Sequence, residues 1–133
     1  TKAGPGKTWD VLILDTLGDL AHFYALSDIA FVGGSLVPKG GQNLLEPAFY
    51  GKPVVFGPSM QNFAFLAEEF VRQGAARRVS GLEDLTEVLL LEEEIALQEM
   101  GRRGRELLGA LQGATRKTLR VIESLVPASS SLR

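Results

Sequence analysis

Residues 31–58 read FVGGSLVPKGGQNLLEPAFYGKPVVFGP. An apolar run ends in Gly33-Gly34, a second glycine pair follows at Gly40-Gly41, and Ser35 and Lys39 stand between them. Asn43-Leu44-Leu45-Glu46 then opens a helical pattern, and 53–56 is another apolar run, closed by Gly57-Pro58. Glycine pairs directly after a strand mark places where the backbone turns sharply or lets a ligand come close. An Asn-x-x-Glu at the start of a helix puts a carboxylate beside free backbone N–H groups at the mouth of the same loop. The stretch is therefore a strand, a glycine-rich loop, a helix and a strand, with a loop shaped to hold a nucleotide.

Reading outward extends the alternation. Residues 11–14 (VLIL) form a continuous apolar run with β-branched members that suits a strand buried on both faces. Residues 16–27 predict a helix with Leu20, Phe23, Tyr24 and Leu26 on one side, and Thr16-x-x-Asp19 has the spacing of a capping box. Residues 29–32 predict a second strand, 43–50 a short helix stopped by Gly51, and 53–56 a third strand. Phe63, Leu66, Ala67 and Phe70 stripe a helix that Gly74 terminates, and 76–79 predict a short fourth strand. Ser80-x-x-Glu83 reads as a capping box for a helix burying Leu82, Leu85, Val88 and Leu89. Two further helices are expected over 95–111 and 114–126, with a flexible tail over 127–133. This order predicts an α/β fold, a small parallel sheet flanked by helices, close to half of a larger doubly wound domain. One domain over 1–126 accommodates it.

Composition narrows the chemistry. At 133 residues the chain can bury roughly two-thirds of its unfolded surface, and 45% hydrophobic content supports a real core. A net charge of −2 argues against a nucleic-acid partner, which requires a basic field. The absence of cysteine excludes disulfides and thiolate metal sites. The single histidine, His22, removes histidine-rich metal sites and histidine-based triads, so no metal is expected. No apolar run approaches the roughly 20 residues of a membrane helix, and TKAGPGKTWD has no signal-peptide core. A soluble chain is expected. It starts without methionine in a Gly/Pro/Lys-rich segment, which reads as part of a longer protein.

In an open parallel sheet, ligands bind beyond the carboxyl ends of the strands. Three loops qualify: 15–19, 33–46 and 57–62. In the second, backbone N–H groups, the Ser35 hydroxyl and the Lys39 ammonium, framed by Gly40 and Gly41, could together hold a phosphate without a metal. The spacing is neither a Walker loop nor GxGxxG. Glu46 is placed to accept hydrogen bonds from ribose hydroxyls, although Asn43-x-x-Glu46 is also the spacing of a helix cap, and the two roles are compatible. Thr16 and Asp19 read first as a cap, His22 as a packed or surface residue, and Glu92-Glu93-Glu94 and Arg102-Arg103 as solvated faces. No paired carboxylates and no Ser/His/Asp set stand out, so the chain offers binding groups without a general base, and no catalytic residue is expected in it.

Four blocks carry a family resemblance. DTLGDL at 15–20, DIAFVGGSLV at 28–37, GGQNLLEP at 40–47, and Gly57-Pro58 with Asn62-Phe63 closely resemble the 3-deoxy-D-manno-octulosonic acid (Kdo) transferases. The resemblance implies most of the Rossmann-like carboxy-terminal domain of a GT-B glycosyltransferase. Such enzymes move Kdo from CMP-Kdo to a lipid A precursor at the cytoplasmic face of the inner membrane, during lipopolysaccharide assembly. It implies CMP contacts at Leu17, Gly18, Asp19, Asn43, Leu44, Leu45 and Glu46, with possible phosphate or sugar contacts at Ser35, Lys39, Gly40, Gly41 and Gln42. It also implies an acceptor domain and catalytic base outside this chain, and no cofactor beyond the donor substrate. The family usually has histidine where Gln42 stands and glutamate where Asp19 stands. Gln42 keeps hydrogen-bonding capacity without the charge, and Asp19 is one methylene shorter. The last helix of GT-B proteins often crosses to the partner domain, so Leu119, Ile122, Leu125 and Val126 are expected to expose an apolar face that could drive self-association. Two alternatives stay open: a UDP-sugar transferase or epimerase of the same architecture, and a flavodoxin-like interaction module whose glycines serve only turns.

Overall fold

The computed structural model describes residues 10–16 and 18–125. The elements in order are α1 (Leu20–Leu26), β1 (Ala30–Phe31), α2 (Leu45–Phe49), β2 (Val54–Phe56), a 3-10 turn (Gln61–Phe63), α3 (Ala64–Arg72), β3 (Ala76–Arg78), α4 (Leu82–Leu91) and α5 (Glu94–Leu125). The three strands form one parallel sheet in the order β1-β2-β3, with Ala30 opposite Val54 and Val54 opposite Ala76.

β2 organises the layers. Val54, Val55 and Phe56 are all fully buried, as expected of a central strand covered on both faces. Strand side chains alternate between faces. Val54 and Phe56 therefore join one cluster with Leu44, Ala48, Ala67 and Phe70 from α2, α3 and the loop before α2, while Val55 joins Val79, Leu85 and Val88. Burying each of these large side chains contributes about 1.5–3 kcal/mol. The expected stripe of Phe63, Leu66, Ala67 and Phe70 faces the first cluster, and the Gly74 and Gly51 stops hold.

Several expectations are corrected. Residues 11–14 form no strand; Val11 and Ile13 are 78% and 80% exposed. A strand needs a neighbour to complete its ladder, and none of the described residues supplies one there. The sheet thus has three strands among the described residues rather than four. The helix expected over 16–27 begins only at Leu20, and Thr16 Oγ1 donates to the Asp19 carboxylate at 2.6 Å instead of capping a backbone N–H. α1 buries none of its residues, and Leu20 and Leu26 are exposed. The Ser80 box closes differently too: Ser80 N–H and Oγ donate to Asp84 at 2.8 and 3.2 Å, leaving Glu83 out. α4 buries Leu85 and Val88, whereas Leu82 and Leu89 face solvent. The two last helices are one continuous helix, α5, which runs through Gly113. A single glycine costs a helix only about 1 kcal/mol, too little to break one already docked on the sheet.

α5 lies across α2, β2 and β3. Gly101 makes this close approach possible: it is buried, and a Cβ there would strike the Gly51 carbonyl. On its outer side Glu99 pairs with Arg102 and Arg103 at 2.7 and 2.9 Å, and these hydrogen bonds hold its carboxyl down to about 2. α1 packs on α2. Burial, and then the negative charge of Glu46, raise the Tyr24 phenol above its ordinary 10.0. The folded chain therefore holds this proton more tightly than the unfolded chain, and the associated stability is present below 10.0 and lost as pH rises through the elevated value.

Three outcomes are expected. Gly101→Ala should lower the urea midpoint, because overpacking costs about 1–3 kcal/mol against a propensity gain of about 1 kcal/mol. Gly109→Ala, whose Cβ would meet nothing within 4 Å, should raise it. In a Tyr50→Phe background, phenolate absorbance should show Glu46→Gln lowering the Tyr24 pKa yet leaving it above 10.0, since burial persists.

Candidate functional site

The carboxyl ends of β1 and β2 lead into two loops, 32–44 and 57–60, that are tied to one another. Gly34, Gly40 and Gly41 all adopt positive φ, at +70°, +86° and +73°. The two glycine bends meet, with Gly41 N–H donating to the Gly34 carbonyl at 3.3 Å. A Cβ on Gly40 would lie 2.6 Å from the Asn62 carboxamide nitrogen, and one on Gly41 would strike the Met60 thioether. The positive φ at both positions favours glycine, and a Cβ at either would displace the Asn62 or Met60 side chain.

The loop's polar groups divide into inward and outward sets. Ser35 is fully buried; its hydroxyl donates to the Val32 carbonyl at 2.5 Å and accepts Gly57 N–H at 2.8 Å. Gly40 N–H donates to Ser59 Oγ at 3.1 Å. So the Ser35 hydroxyl and the N–H groups of Gly40 and Gly41 are spent inside the protein, unlike the phosphate cradle expected from the sequence. Lys39, Gln42 and Glu46 are exposed, and Lys39 makes no ion pair among the described residues.

At the mouth of α2, Asn43 Oδ1 accepts Leu45 N–H at 3.0 Å and Asn43 Nδ2 donates to Glu46 Oε1 at 3.2 Å. The cap reading of Asn43 is realised as an Asx turn, and the same contact orients the Glu46 carboxylate. Only one carboxylate oxygen is engaged among the described residues, which leaves Glu46 Oε2 open to a ligand. Leu44 is fully buried in the core and Leu45 half-buried, so any ligand contact at Leu44 is made by its backbone. Gly18 sits at φ +93° in open space, and Asp19 is exposed at the start of α1. Leu17 lies outside the described residues. The arrangement is an open polar lip. A cleft of about 150 Å³ borders the 57–60 loop at Pro58, Met60, Gln61 and Arg78, and another of about 470 Å³ lies beside Tyr50, Gly51, Arg102 and Arg105. No cluster of three or more His, Cys, Asp or Glu side chains suited to a metal occurs among the described residues.

Ser59, in the 57–62 loop at the ligand end, joins the site through its contact with Gly40 and carries no motif of its own. Its signal was only positional, a hydroxyl two residues past Gly57-Pro58 at a strand's carboxyl end.

No family model matches the chain. Curated relatives do. The chain is 40% identical over 121 residues to the 3-deoxy-D-manno-octulosonic acid transferase of Bordetella pertussis, covering 90% of this chain and 28% of that protein. It is 36% identical over 115 residues to the enzyme of the same name from Aquifex aeolicus, covering 84% and 32% respectively. The chain thus spans about a third or less of the relatives it matches. Among solved structures, the C-terminal CMP-Kdo binding domain of WaaA from Acinetobacter baumannii superposes with a TM-score of 0.66 at 35% identity, over 71% of this chain and 51% of that one. The chain is accordingly a homologue of the 3-deoxy-D-manno-octulosonic acid transferases and has the fold of part of their carboxy-terminal domain.

Proposed function

We propose that this chain binds the donor CMP-Kdo and that the whole protein transfers Kdo to a lipid A precursor at the inner face of the inner membrane. The observation that carries the reading is the Glu46 carboxylate at the α2 mouth beside the glycine lip, oriented through Oε1 by Asn43 with Oε2 open, in a chain related to Kdo transferases over most of its length. Glu46 Oε2 accepts hydrogen bonds from the ribose. Gly18, Asp19 and the backbone of residues 43–45 complete the nucleotide contacts, and Leu17 joins them by family resemblance. The Lys39 ammonium and the Gln42 carboxamide, both exposed, face the phosphate and the sugar acid, while Gly40 and Gly41 shape the lip.

In the transfer, an acceptor oxygen bonds to the anomeric carbon as the bond from that carbon to the phosphate oxygen breaks. The acceptor proton goes to a base outside this chain, and CMP leaves carrying the negative charge. The residues here bind and orient the donor. Lys39 stabilises charge as it develops on the phosphate. No metal is assigned a role in this scheme.

Calorimetry tests it. The chain should bind CMP in preference to UDP, and Glu46→Ala should weaken CMP binding roughly ten- to a hundredfold, the equivalent of a charge-assisted hydrogen bond. Unchanged affinity in a folded variant would remove Glu46 from the site. Tight UDP binding would favour the UDP-sugar reading, and binding of neither nucleotide the interaction module. The chain alone should bind without turning over. On α5, Leu119 and Ile122 are 52% and 50% exposed, while Val126 and the side chain of Leu125 lie outside the described set. Self-association through this face should appear in sedimentation and be reduced by a Leu119→Glu, Ile122→Glu double variant.

A further inference from the structure

We propose that Ser59 and Asn62 are positioning residues that set the shape of the donor lip, Ser59 from a buried site that does not touch the donor. The inference rests on the nucleotide reading above for its consequence and on geometry for its mechanism. Gly40 is held through both of its backbone polar groups. Its N–H donates to Ser59 Oγ at 3.1 Å, and its carbonyl accepts Asn62 N–H at 3.1 Å. Ser59 is itself fixed: it is 7% exposed, its N–H donates to the Ser35 carbonyl at 2.8 Å, and its hydroxyl donates to Gln61 Oε1 at 2.8 Å. The Asn62 carboxamide reaches the Lys39 and Gly41 carbonyls at 3.3 and 3.4 Å.

The segment so held has two successive glycines at positive φ, the most permissive backbone available. Without the latch, those residues would have to be ordered when the ligand arrives, and binding would be weakened by that cost. Lys39 and Gln42 flank the glycines, so the latch also fixes where the ammonium and the carboxamide stand. A hydroxyl too deep to meet the ligand thereby governs its affinity.

Hydrogen exchange and calorimetry on the whole chain decide it. Ser59→Ala should accelerate exchange of the Gly40 amide at least about tenfold and weaken CMP binding about three- to tenfold, the scale of one net hydrogen bond. Ser59→Thr, which keeps the hydroxyl, should restore both. Val88→Ala, in the cluster on the opposite face of the sheet, should lower global stability with CMP affinity unchanged, which separates positioning from loss of fold. Should Ser59→Ala fail to fold, Asn62→Ala at an exposed position should weaken CMP binding with the urea midpoint nearly unchanged. Unaltered Gly40 exchange in Ser59→Ala, or unaltered CMP affinity in a folded Ser59→Ala and Asn62→Ala pair, overturns the proposal. A wild-type chain that binds no CMP refutes the nucleotide reading instead, and the exchange of the Gly40 amide still decides whether the latch exists.

Discussion

β2 is the only strand among the described residues with a partner on each edge and a hydrophobic cluster on each face. Its three side chains are fully buried, and its backbone is committed to β1 on one side and β3 on the other. This double commitment fixes the position of the loop that follows it. β1 is weaker: two residues long, paired on one side only, with Phe31 partly exposed. A loop leaving so short a strand inherits little rigidity from it. The loop after β2 supplies what β1 cannot, through Ser35 with Gly57, Ser59 with Ser35, and Gly40 with Ser59.

The same dependence explains why some features were legible in the sequence and others were not. The apolar run 53–56 becomes β2, and the stripe of Phe63, Leu66, Ala67 and Phe70 meets the core. In both, a local pattern and its tertiary partner coincide. Residues 11–14 have the composition of a buried strand, yet strand formation depends on a neighbour that local pattern cannot reveal.

Helix ends tell a related story. The spacing at 16–19 and 80–83 predicts capping boxes, but a hydroxyl chooses among nearby acceptors by geometry. Thr16 bonds a side-chain carboxylate, and Ser80 pairs with Asp84 one residue beyond the expected partner. At the site, Glu46 and Asn43 stand together as the motif implied. Ser35 did not follow its motif, because a small hydroxyl between two glycine pairs can serve the backbone as readily as a ligand, and only burial distinguishes the two. The role of Ser59 depends on a contact 19 residues away in sequence, which no local pattern encodes.

The inward use of the Gly40 and Gly41 N–H groups has a consequence for charge. A phosphate-binding loop ordinarily neutralises its ligand with several backbone donors aimed outward. Here those two donors hold the loop closed, so the compensating positive charge on this loop rests on the Lys39 ammonium, a strongly hydrated group on a flexible stem. A single exposed ammonium in high dielectric is worth little. It gains strength only when water is excluded from around it, and an open lip does not exclude water. Under the proposed function, the lip is therefore built to orient the nucleoside through Glu46 and the α2 mouth, while full stabilisation of the departing phosphate requires a second surface closing over Lys39.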